Sequence, residues 1–499
     1  MPAPDLPIPN SIIPAMAVIS DLDARAAGRP RTGFNAAEAA LLTGATLLML
    51  WPALYNGFPL IFSDTGTYIS QMMEHHLGWD RPPYYSMLLL ALDWGRNLWP
   101  PTIAQCAVAA WMIRRTQRMV VPRSGIGAGA LLLAPLALLT ALPWTAAQIM
   151  PDIFTPLMVL AFAVLVLDDR VTRRERSLLT VLITLAIMAH LSNLPIYAGL
   201  CLCVLVLRRR ARPRPEWRRL LLPLAIGVTA LVGVNVIASG TVSPSPYGGT
   251  FVLARLLSDG PARTTLAQDC PTRHWALCRY QADLAHSADW FLWTADSPLY
   301  RAGGPIRLIR QTNAIVRATI AAHPAIVLRN GVRDTLRQLI TFAPGSGLRP
   351  WSATAAPTIR RDLPVAAVRA FLGSLQARRR LAIGEPLASI VATVTIAGII
   401  ATLGFVLLAI VHAIRPLHGI RALRTAAAPL DDRLIDDRLF FLAVLVLLAL
   451  LGNAVVTGSL SGPHDRYQSR IVWLAGLTGG LVLARCYAAW RSRPTSTTA

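Results

Sequence analysis

The sequence predicts an all-α polytopic membrane protein with about ten transmembrane helices, an outer surface helix after the first span and one large extracytoplasmic insert. Of the 499 residues, 54% are hydrophobic and only 15% are charged, whereas about a quarter of the residues in a soluble domain are charged. Apolar runs of about 20 residues recur along the chain, which is the length that crosses a bilayer. Composition and pattern together exclude a soluble globular fold and a disordered chain.

The charge of the chain indicates membrane orientation and argues against nucleic-acid binding. The formal net charge is +22, and all 48 basic residues are arginine. Clusters at Arg114–Arg118, Arg170–Arg176 and Arg208–Arg214 adjoin apolar runs, as the positive-inside rule expects of cytoplasmic loops. We therefore expect a protein of the bacterial cytoplasmic (inner) membrane with both termini in the cytoplasm, membrane lipids as partners and no nucleic acid.

The predicted spans form two membrane domains, over residues 37–238 and 387–486, between a cytoplasmic N-terminal segment (1–36) and a cytoplasmic tail (487–499). The spans are Ala37–Tyr55, Thr102–Ile113, Ile126–Leu142, Ile153–Leu167, two short helices within Leu178–Leu207, Leu220–Ala238, Leu387–Val411, Leu439–Thr457 and Ile471–Ala484. The run Leu178–Leu207 is divided at His190–Pro195, because proline lacks the donor that a continuing helix needs.

One further apolar run is read as a helix on the outer membrane surface. The run Tyr84–Leu98 is short and is interrupted by Asp93 and Arg96. A short apolar helix with charges near its end favours the interface over a full crossing.

The extracytoplasmic insert, residues 239–386, is expected to be partly helical. Its two cysteines, Cys270 and Cys278, lie in a polar stretch and could form a disulfide in an oxidising compartment. A metal pair is the alternative, but the spacing is not that of a zinc site. Two amphipathic stretches, Ile306–Ala322 and Ala325–Phe342, each carry an arginine stripe; the arginines are Arg307, Arg310, Arg317, Arg329, Arg333 and Arg337. Such a stripe is typical of a solvated face, and the alternative is contact with anionic headgroups or a lipid-linked phosphate.

Two carboxylates stand next to predicted span ends, where ionisable side chains are costly unless they are solvated or used. Asp64 follows the first span, and Gly66 is expected to let the backbone turn around it. Asp152 opens the fourth span. A structural interpretation is that Asp64 starts a turn and Asp152 caps a helix. The functional interpretation is that both reach one outer cavity as catalytic groups.

A second set of polar residues lies at the start of the last predicted span. Arg466 and Arg470 are four residues apart and share a helical face, which suits a grip on a phosphate at the headgroup level. His464 and Tyr467 are candidate binding residues beside them. Alternatively, the arginines pair with Asp465 or extend to lipid phosphates.

The loop before the surface helix supplies further candidate groups. Its polar side chains include His75, His76, Asp80 and Arg81, and Tyr84 and Tyr85 follow at the start of the surface helix. We expect Arg81, Tyr84 and Tyr85 to bind substrate. A metal site with two histidines and an aspartate is an alternative, but adjacent histidines on a helix point apart.

The order of these features resembles the C-type glycosyltransferase (GT-C) superfamily of integral membrane enzymes. Within residues 37–170, a first outer loop carries an Asp, a surface helix opens with Arg-Pro-Pro-Tyr-Tyr, a span ends in basic residues and a second outer loop ends in Pro-Asp. The resemblance implies that Asp64 is the general base and that Asp152 is a second acidic site residue. It implies a polyprenyl-phosphate-linked sugar as donor. Neither loop holds an Asp-x-Asp or Asp-Glu pair, so a divalent metal cofactor is not indicated and the metal stays unknown.

Two other classes of function fit parts of the pattern. A transporter or flippase of a lipid-linked saccharide would use the break at residues 190–195 as a discontinuous helix, although the sequence shows no internal repeat. An envelope polymer ligase or acyltransferase would use His464 with Arg466 and Arg470.

Overall fold

The computed structural model describes residues 36–207, 216–345, 347–414 and 437–491. Within these ranges the protein consists of α-helices, two short 3₁₀ helices (Pro151–Ile153 and Ala276–Asp283) and one isolated β-bridge. The α-helices are α1 (Ala36–Met49), α2 (Trp51–Asn56), α3 (Thr65–Glu74), α4 (Tyr84–Asp93), α5 (Trp99–Val120), α6 (Ile126–Leu139), α7 (Leu142–Ala146), α8 (Phe154–Leu167), α9 (Arg173–Ala189), α10 (Asn193–Leu207), α11 (Trp217–Ser239), α12 (Gly248–Asp259), α13 (Pro261–Arg273), α14 (Ala288–Trp293), α15 (Pro298–Arg301), α16 (Gly304–Ala322), α17 (Pro324–Ile340), α18 (Ala355–Asp362), α19 (Val365–Gly373), α20 (Glu385–Ile414), α21 (Asp437–Leu460) and α22 (Asp465–Arg491). Nearly all of the predicted N-terminal segment, the arginine cluster at 208–214 and most of the C-terminal tail lie outside the described residues.

Four of the described helices, α11, α20, α21 and α22, are long and apolar enough to cross a membrane. Five further apolar segments have only 10–17 residues, which is short for a hydrocarbon core about 30 Å thick. The fold is therefore that of a helical protein suited to a membrane, whereas about ten separate crossings stay a prediction.

Several predicted boundaries move for local reasons. The first predicted span is divided into α1 and α2, because Pro52 lies in the first turn of α2, a position where proline is tolerated. The predicted surface helix ends at Asp93 and not at Leu98. The Asp93 carboxylate accepts hydrogen bonds from the backbone N–H groups of Asn97 and Leu98, at 2.9 and 3.0 Å, and so fixes the turn into α5.

The helix α8 lies at the centre of the main hydrophobic core. Its residues from Phe154 to Val164 are all buried. A helix that is apolar on every side is expected to be surrounded by other elements, and α8 packs against α5, α9, α21 and α22. The 3₁₀ turn that precedes it positions Asp152.

The predicted break between two short helices is present, and it lies between α9 and α10. The Asn193 side chain donates to the carbonyl of Ala186 at 2.8 Å and accepts from the Thr155 hydroxyl at 2.7 Å. These bonds satisfy polar groups that the interruption exposes, and they fix the break against α8.

The insert has a hydrophobic core of its own. Leu253, Leu266, Phe291 and Ile315 are among its buried residues. The structure joins Cys270 to Cys278 in a disulfide with a Cα–Cα distance of 5.6 Å. The two predicted amphipathic stretches form α16 and α17, and α17 packs along α21.

Candidate active site

The loops that carry Asp64 and Asp152 are joined by main-chain hydrogen bonds. The backbone N–H of Leu60 donates to the carbonyl of Ala147 at 3.1 Å, and that of Ile149 donates back to the carbonyl of Leu60 at 2.8 Å. The Thr65 hydroxyl adds a bond to the carbonyl of Ile149 at 3.0 Å. The two loops therefore hold both carboxylates on one side of the helix bundle.

Asp64 precedes α3 and accepts hydrogen bonds from two arginines. Its Oδ2 atom lies 2.7 Å from Arg81 Nη2 and 3.3 Å from Arg466 Nη1. Burial alone would raise the pKa of Asp64, but Arg81 and Arg466 outweigh that effect and lower its pKa to about 2. The carboxylate is therefore ionised at every physiological pH.

Asp152 lies deeper, with an exposed side-chain fraction of 1%. Its Oδ1 atom accepts from Arg470 Nη1 at 3.0 Å. Its Oδ2 atom is buried without a hydrogen-bond partner among the described residues, and Arg466 Nη1 lies 4.0 Å away. Arg466 thus stands between the two carboxylates, and Asp64, Arg81, Asp152, Arg466 and Arg470 form what we call the Asp64 site.

The Arg470 guanidinium is fully buried and is fixed by Asn453 of α21 and by Ser192 in the break between α9 and α10. It donates to Asn453 Oδ1 at 2.7 Å and to the Ser192 hydroxyl at 3.0 Å. The Ser192 hydroxyl lies 2.8 Å from His190 Nδ1. The break between α9 and α10 therefore places the Ser192 hydroxyl against Arg470 and the His190 ring against Ser192.

Sequence reasoning missed Asn453, Ser192 and His190. Asn453 was the most detectable of the three, because it is an amide inside the apolar run of α21, and polar side chains within such runs mark functional sites.

Aromatic rings flank the two arginines that contact Asp64. The Arg466 guanidinium carbon lies 4.1 Å from the Phe62 ring centroid and 5.1 Å from that of Tyr467. The Arg81 guanidinium carbon lies 5.7 Å from the ring centroid of Trp293 in the insert. These contacts orient the cations by their attraction to the ring faces, and the Arg81 contact brings the insert to the site.

A cavity of about 30 Å³ adjoins the site, which is room for about two water molecules. Asp152, Arg466 and Arg470 line one side of it, and Pro344, Gly345, Gly347 and Leu348 line another. A Cβ on Gly347 would lie 2.6 Å from the Phe62 ring, so a glycine is needed for this close approach of the insert.

Three predicted binding residues use their polar atoms elsewhere. The Tyr84 hydroxyl donates to the carbonyl of Ala230 at 2.6 Å, and the fully buried Tyr85 donates to Gln105 at 2.6 Å. His464 Nε2 lies 3.6 Å from Asp289 of the insert. Their polar atoms therefore bond to these partners and not to Asp64 or Asp152.

Gly66 has a different role from the predicted one. It lies inside α3, and a Cβ at this position would lie 3.0 Å from the Ala355 Cα. Its missing side chain lets α3 and α18 pack closely.

His75 and His76 are not arranged as the ligands of a metal site. His75 ends α3 in a left-handed conformation, with φ at 53°, and His76 pairs with Glu74 at 3.3 Å. Among the residues that the structure describes, no group of three or more His, Cys, Asp or Glu side chains is placed to hold a metal ion. Asp80 contributes its backbone carbonyl, which accepts from Arg81 at 3.0 Å.

The chain matches no protein-family model, no curated protein and no solved structure. Its class is therefore defined by its own fold and site. Over the described residues it is a helical protein with four candidate membrane spans, in which the segments that carry Asp64, Arg81 and Asp152 and the start of α22 form a buried arginine and carboxylate cluster.

Proposed function

We propose that the protein is a membrane glycosyltransferase with a GT-C-like architecture. It transfers a sugar from a polyprenyl-phosphate-linked donor to a lipid or cell-envelope glycan acceptor at the extracytoplasmic face. The observation that carries this proposal is the position of Arg466, which lies 3.3 Å from Asp64 and 4.0 Å from Asp152. A candidate base and a phosphate-binding cation thereby share one site.

The arginines supply the phosphate grip. Arg81 Nε is buried without a hydrogen-bond partner among the described residues, so it can donate to an incoming oxygen without breaking an existing bond. Arginine binds phosphate through paired N–H groups. The negative charge that develops on the departing polyprenyl phosphate is then stabilised by Arg81 and Arg466.

Asp64 acts as the general base once the donor is bound. With a pKa of about 2, it is too weak a base while Arg81 and Arg466 hold it. A donor phosphate competes for these two guanidinium groups, and burial then raises the pKa of the released carboxylate. In the transfer step, Asp64 takes the proton of the acceptor hydroxyl or amine, the acceptor atom bonds to the anomeric carbon, and the carbon–oxygen bond to phosphate breaks with its electron pair moving to the phosphate.

Asp152 positions the cations. It pairs with Arg470 at 3.0 Å, and its other oxygen lies 4.0 Å from Arg466 Nη1, the atom that also contacts Asp64. Asp152 thereby holds Arg466 where both a phosphate and Asp64 can reach it. A charge that is positioned before the transfer step stabilises the leaving group well, because it does not have to rearrange during that step.

The charge distribution supports an extracytoplasmic location of the site. The opposite ends of α8 and α9 lie beside the arginine clusters at 114–118 and 170–176, which the positive-inside rule assigns to the cytoplasm. The 14 residues of α8 separate Asp152 from that end.

The test is transfer of a radiolabelled sugar from extracted polyprenyl-phosphate sugars by the full-length protein in proteoliposomes. We expect transfer by the native protein and by Asp283→Asn, a control on the insert whose aspartate is 44% exposed and pairs with Arg301. We expect transfer by Asp64→Asn, at equal folded amount, to fall by about 100-fold or more. Movement of the labelled lipid across the bilayer without transfer, unaffected by Asp64→Asn, would establish a transporter and overturn the proposal.

A further inference from the structure

Helix α17 has its polar residues inside and its apolar residues outside. Its buried positions are Asn330, Asp334, Thr335 and Gln338. Its most exposed apolar side chains are Leu328, Val332, Leu336 and Ile340, with exposed fractions of 69%, 51%, 60% and 76%. These four residues recur every four positions and therefore form one stripe along the helix.

The neighbouring helix α16 has the ordinary arrangement. It buries Leu308 and Ile315 in the core of the insert and exposes Arg307, Arg310 and Arg317. Both helices belong to the insert and carry an arginine stripe, so the inverted polarity is a property of α17 and not of the whole domain.

The buried polar face of α17 is satisfied by specific partners. Asp334 pairs with Arg255 and Arg333. Gln338 donates to the carbonyl of His464 and accepts from its backbone N–H, both at 2.9 Å. The polar face is therefore committed to the protein, and the apolar stripe is the face left over.

The partner of the polar face is a candidate membrane span. A Cβ on Gly458 of α21 would lie 2.7 Å from the Asp334 carbonyl oxygen, so the two helices approach closely near the end of α21. Gln338 bonds to His464 beside the Asp64 site, and α21 is long and apolar enough to cross a membrane. A membrane crossed by α21 would therefore have α17 at its boundary, on the side of the Asp64 site.

Exposure of four large apolar side chains in one stripe is unfavourable in water. The arginines Arg329, Arg333 and Arg337 follow the stripe by one residue each and are also exposed, which places them beside it on the helical surface. An apolar stripe bordered by cations is the pattern of a helix that lies in a membrane interface.

We infer that α17 lies in the membrane interface, with Leu328, Val332, Leu336 and Ile340 among the acyl chains and with Arg329 and Arg337 at the phosphates of anionic lipids. The apolar side chains lose their contact with water, and the arginines gain phosphate partners. This surface interaction does not depend on the proposed catalytic activity.

The placement has a consequence for the nearby cavity. The chain leaves α17 at Ile340 and reaches the cavity wall at Pro344. Between these two points, the backbone N–H of Ala343 donates to the Asp465 carboxylate at 2.8 Å, and this bond fixes the path of the segment. A membrane-bound α17 therefore holds the cavity beside the lipid phase, from which a lipid-linked phosphate would come.

Site-directed spin labelling of the full-length protein tests this inference. Single cysteines replace Leu328, Val332 or Leu336 on α17, and Arg310 or Arg317 on α16 as matched controls, in a Cys203→Ser, Cys486→Ser background that leaves the two buried free cysteines and the disulfide in place. The variants are reconstituted in vesicles of phosphatidylglycerol and phosphatidylethanolamine. All labelled positions are exposed, and monodisperse elution confirms folding before the measurement.

We expect the α17 labels to collide several-fold more with oxygen, relative to a water-soluble nickel complex, than the α16 labels do. Nickel access at α17 equal to that at α16 would show a water-facing stripe and would overturn the inference. Immobile α17 labels shielded from both reagents would show a protein partner or a second copy on this face, and would also overturn it.

Discussion

The helices α8 and α9 carry a buried arginine and carboxylate cluster at each end, and the two clusters differ in how completely they are paired. One is the Asp64 site. The other, which we call the Asp168 cluster, comprises Glu38, Arg114, Arg115, Asp168 and Arg170. They are separated by the length of α8, about 21 Å for 14 residues at the rise of an α-helix.

Among the described residues, no buried side-chain polar atom of the Asp168 cluster lacks a hydrogen-bond partner. Arg114, 2% exposed, donates to Glu38 at 3.0 Å, to Gln117 at 2.8 Å and to the carbonyl of Ser124 at 2.9 Å. Asp168 accepts from Arg115 at 2.9 Å and Arg170 at 2.7 Å. Complete pairing of this kind is what buried charges need for stability.

The Asp64 site leaves two buried atoms without a partner among the described residues, Asp152 Oδ2 and Arg81 Nε, and the hydroxyl of Tyr68 beside the site is a third. An unpaired buried polar group costs about 1–3 kcal/mol. The same residue types are therefore used for structure at one end and kept available at the other. Incomplete pairing beside a cavity distinguishes a candidate ligand site from a structural cluster of equal charge.

The largest expected effect that separates the clusters is on transfer. We expect Asp64→Asn to lower the transfer rate by about 100-fold or more, because a positioned general base contributes that much. Asp168→Asn, measured per folded molecule, should transfer at close to the native rate. Initial rates of labelled-sugar transfer decide this, and equal losses in both variants would remove the functional distinction between the two ends.

The next largest expected effect is on the stability of the fold, and it is expected at the Asp168 cluster and not at the Asp64 site. Glu38→Gln leaves the Arg114 charge buried without its carboxylate, and loss of one partner of a buried pair costs about 3–5 kcal/mol. We expect a marked fall in the thermal unfolding temperature in detergent, with the transfer rate per folded molecule kept. An unchanged unfolding temperature would show that the Asp168 cluster is not structural.

A smaller effect is expected from a change that keeps the charge at the site. Arg466→Lys retains a cation but loses the planar guanidinium whose paired N–H groups bind phosphate. We expect the KM for the donor to rise about tenfold, with Arg263→Lys, an exposed position on the insert, as control. Identical KM values in the two variants would show that the shape of the guanidinium is not used.

The smallest effect is the pH dependence of stability. Because its folded-state pKa of about 2 is below the usual 3.8, Asp64 stabilises the fold fully above pH 4, and this contribution is lost as the pH falls towards 2. It amounts to at most about 2 kcal/mol. The thermal unfolding temperature should therefore fall more steeply between pH 5 and pH 2 in the native protein than in Asp64→Asn. Parallel curves of unfolding temperature against pH would contradict the pairing of Asp64 with Arg81 and Arg466.

The sequence was most informative where proline or polar residues interrupt or border an apolar run. The proline at 195 and the polar residues before it predicted the break after α9, and the break is present. Asp64, Asp152, Arg466 and Arg470 stood next to apolar runs, and the structure brings all four together.

Other features depend on partners that are distant in sequence. The Tyr84 hydroxyl finds its acceptor at Ala230, and Gln376 bonds to Ile61 across 315 residues. No local pattern encodes such pairs. The stripe of α17 was visible as an amphipathic helix, but which of its faces points inward depends on α21 and Arg255.

The most direct test of the account is a density map of the protein with a bound polyprenyl phosphate in nanodiscs. We predict that the phosphate lies within hydrogen-bond distance of Arg81 and Arg466, and that both have moved away from Asp64. A phosphate bound elsewhere, with Asp64 still held by Arg81 and Arg466, would contradict the proposed role of this site.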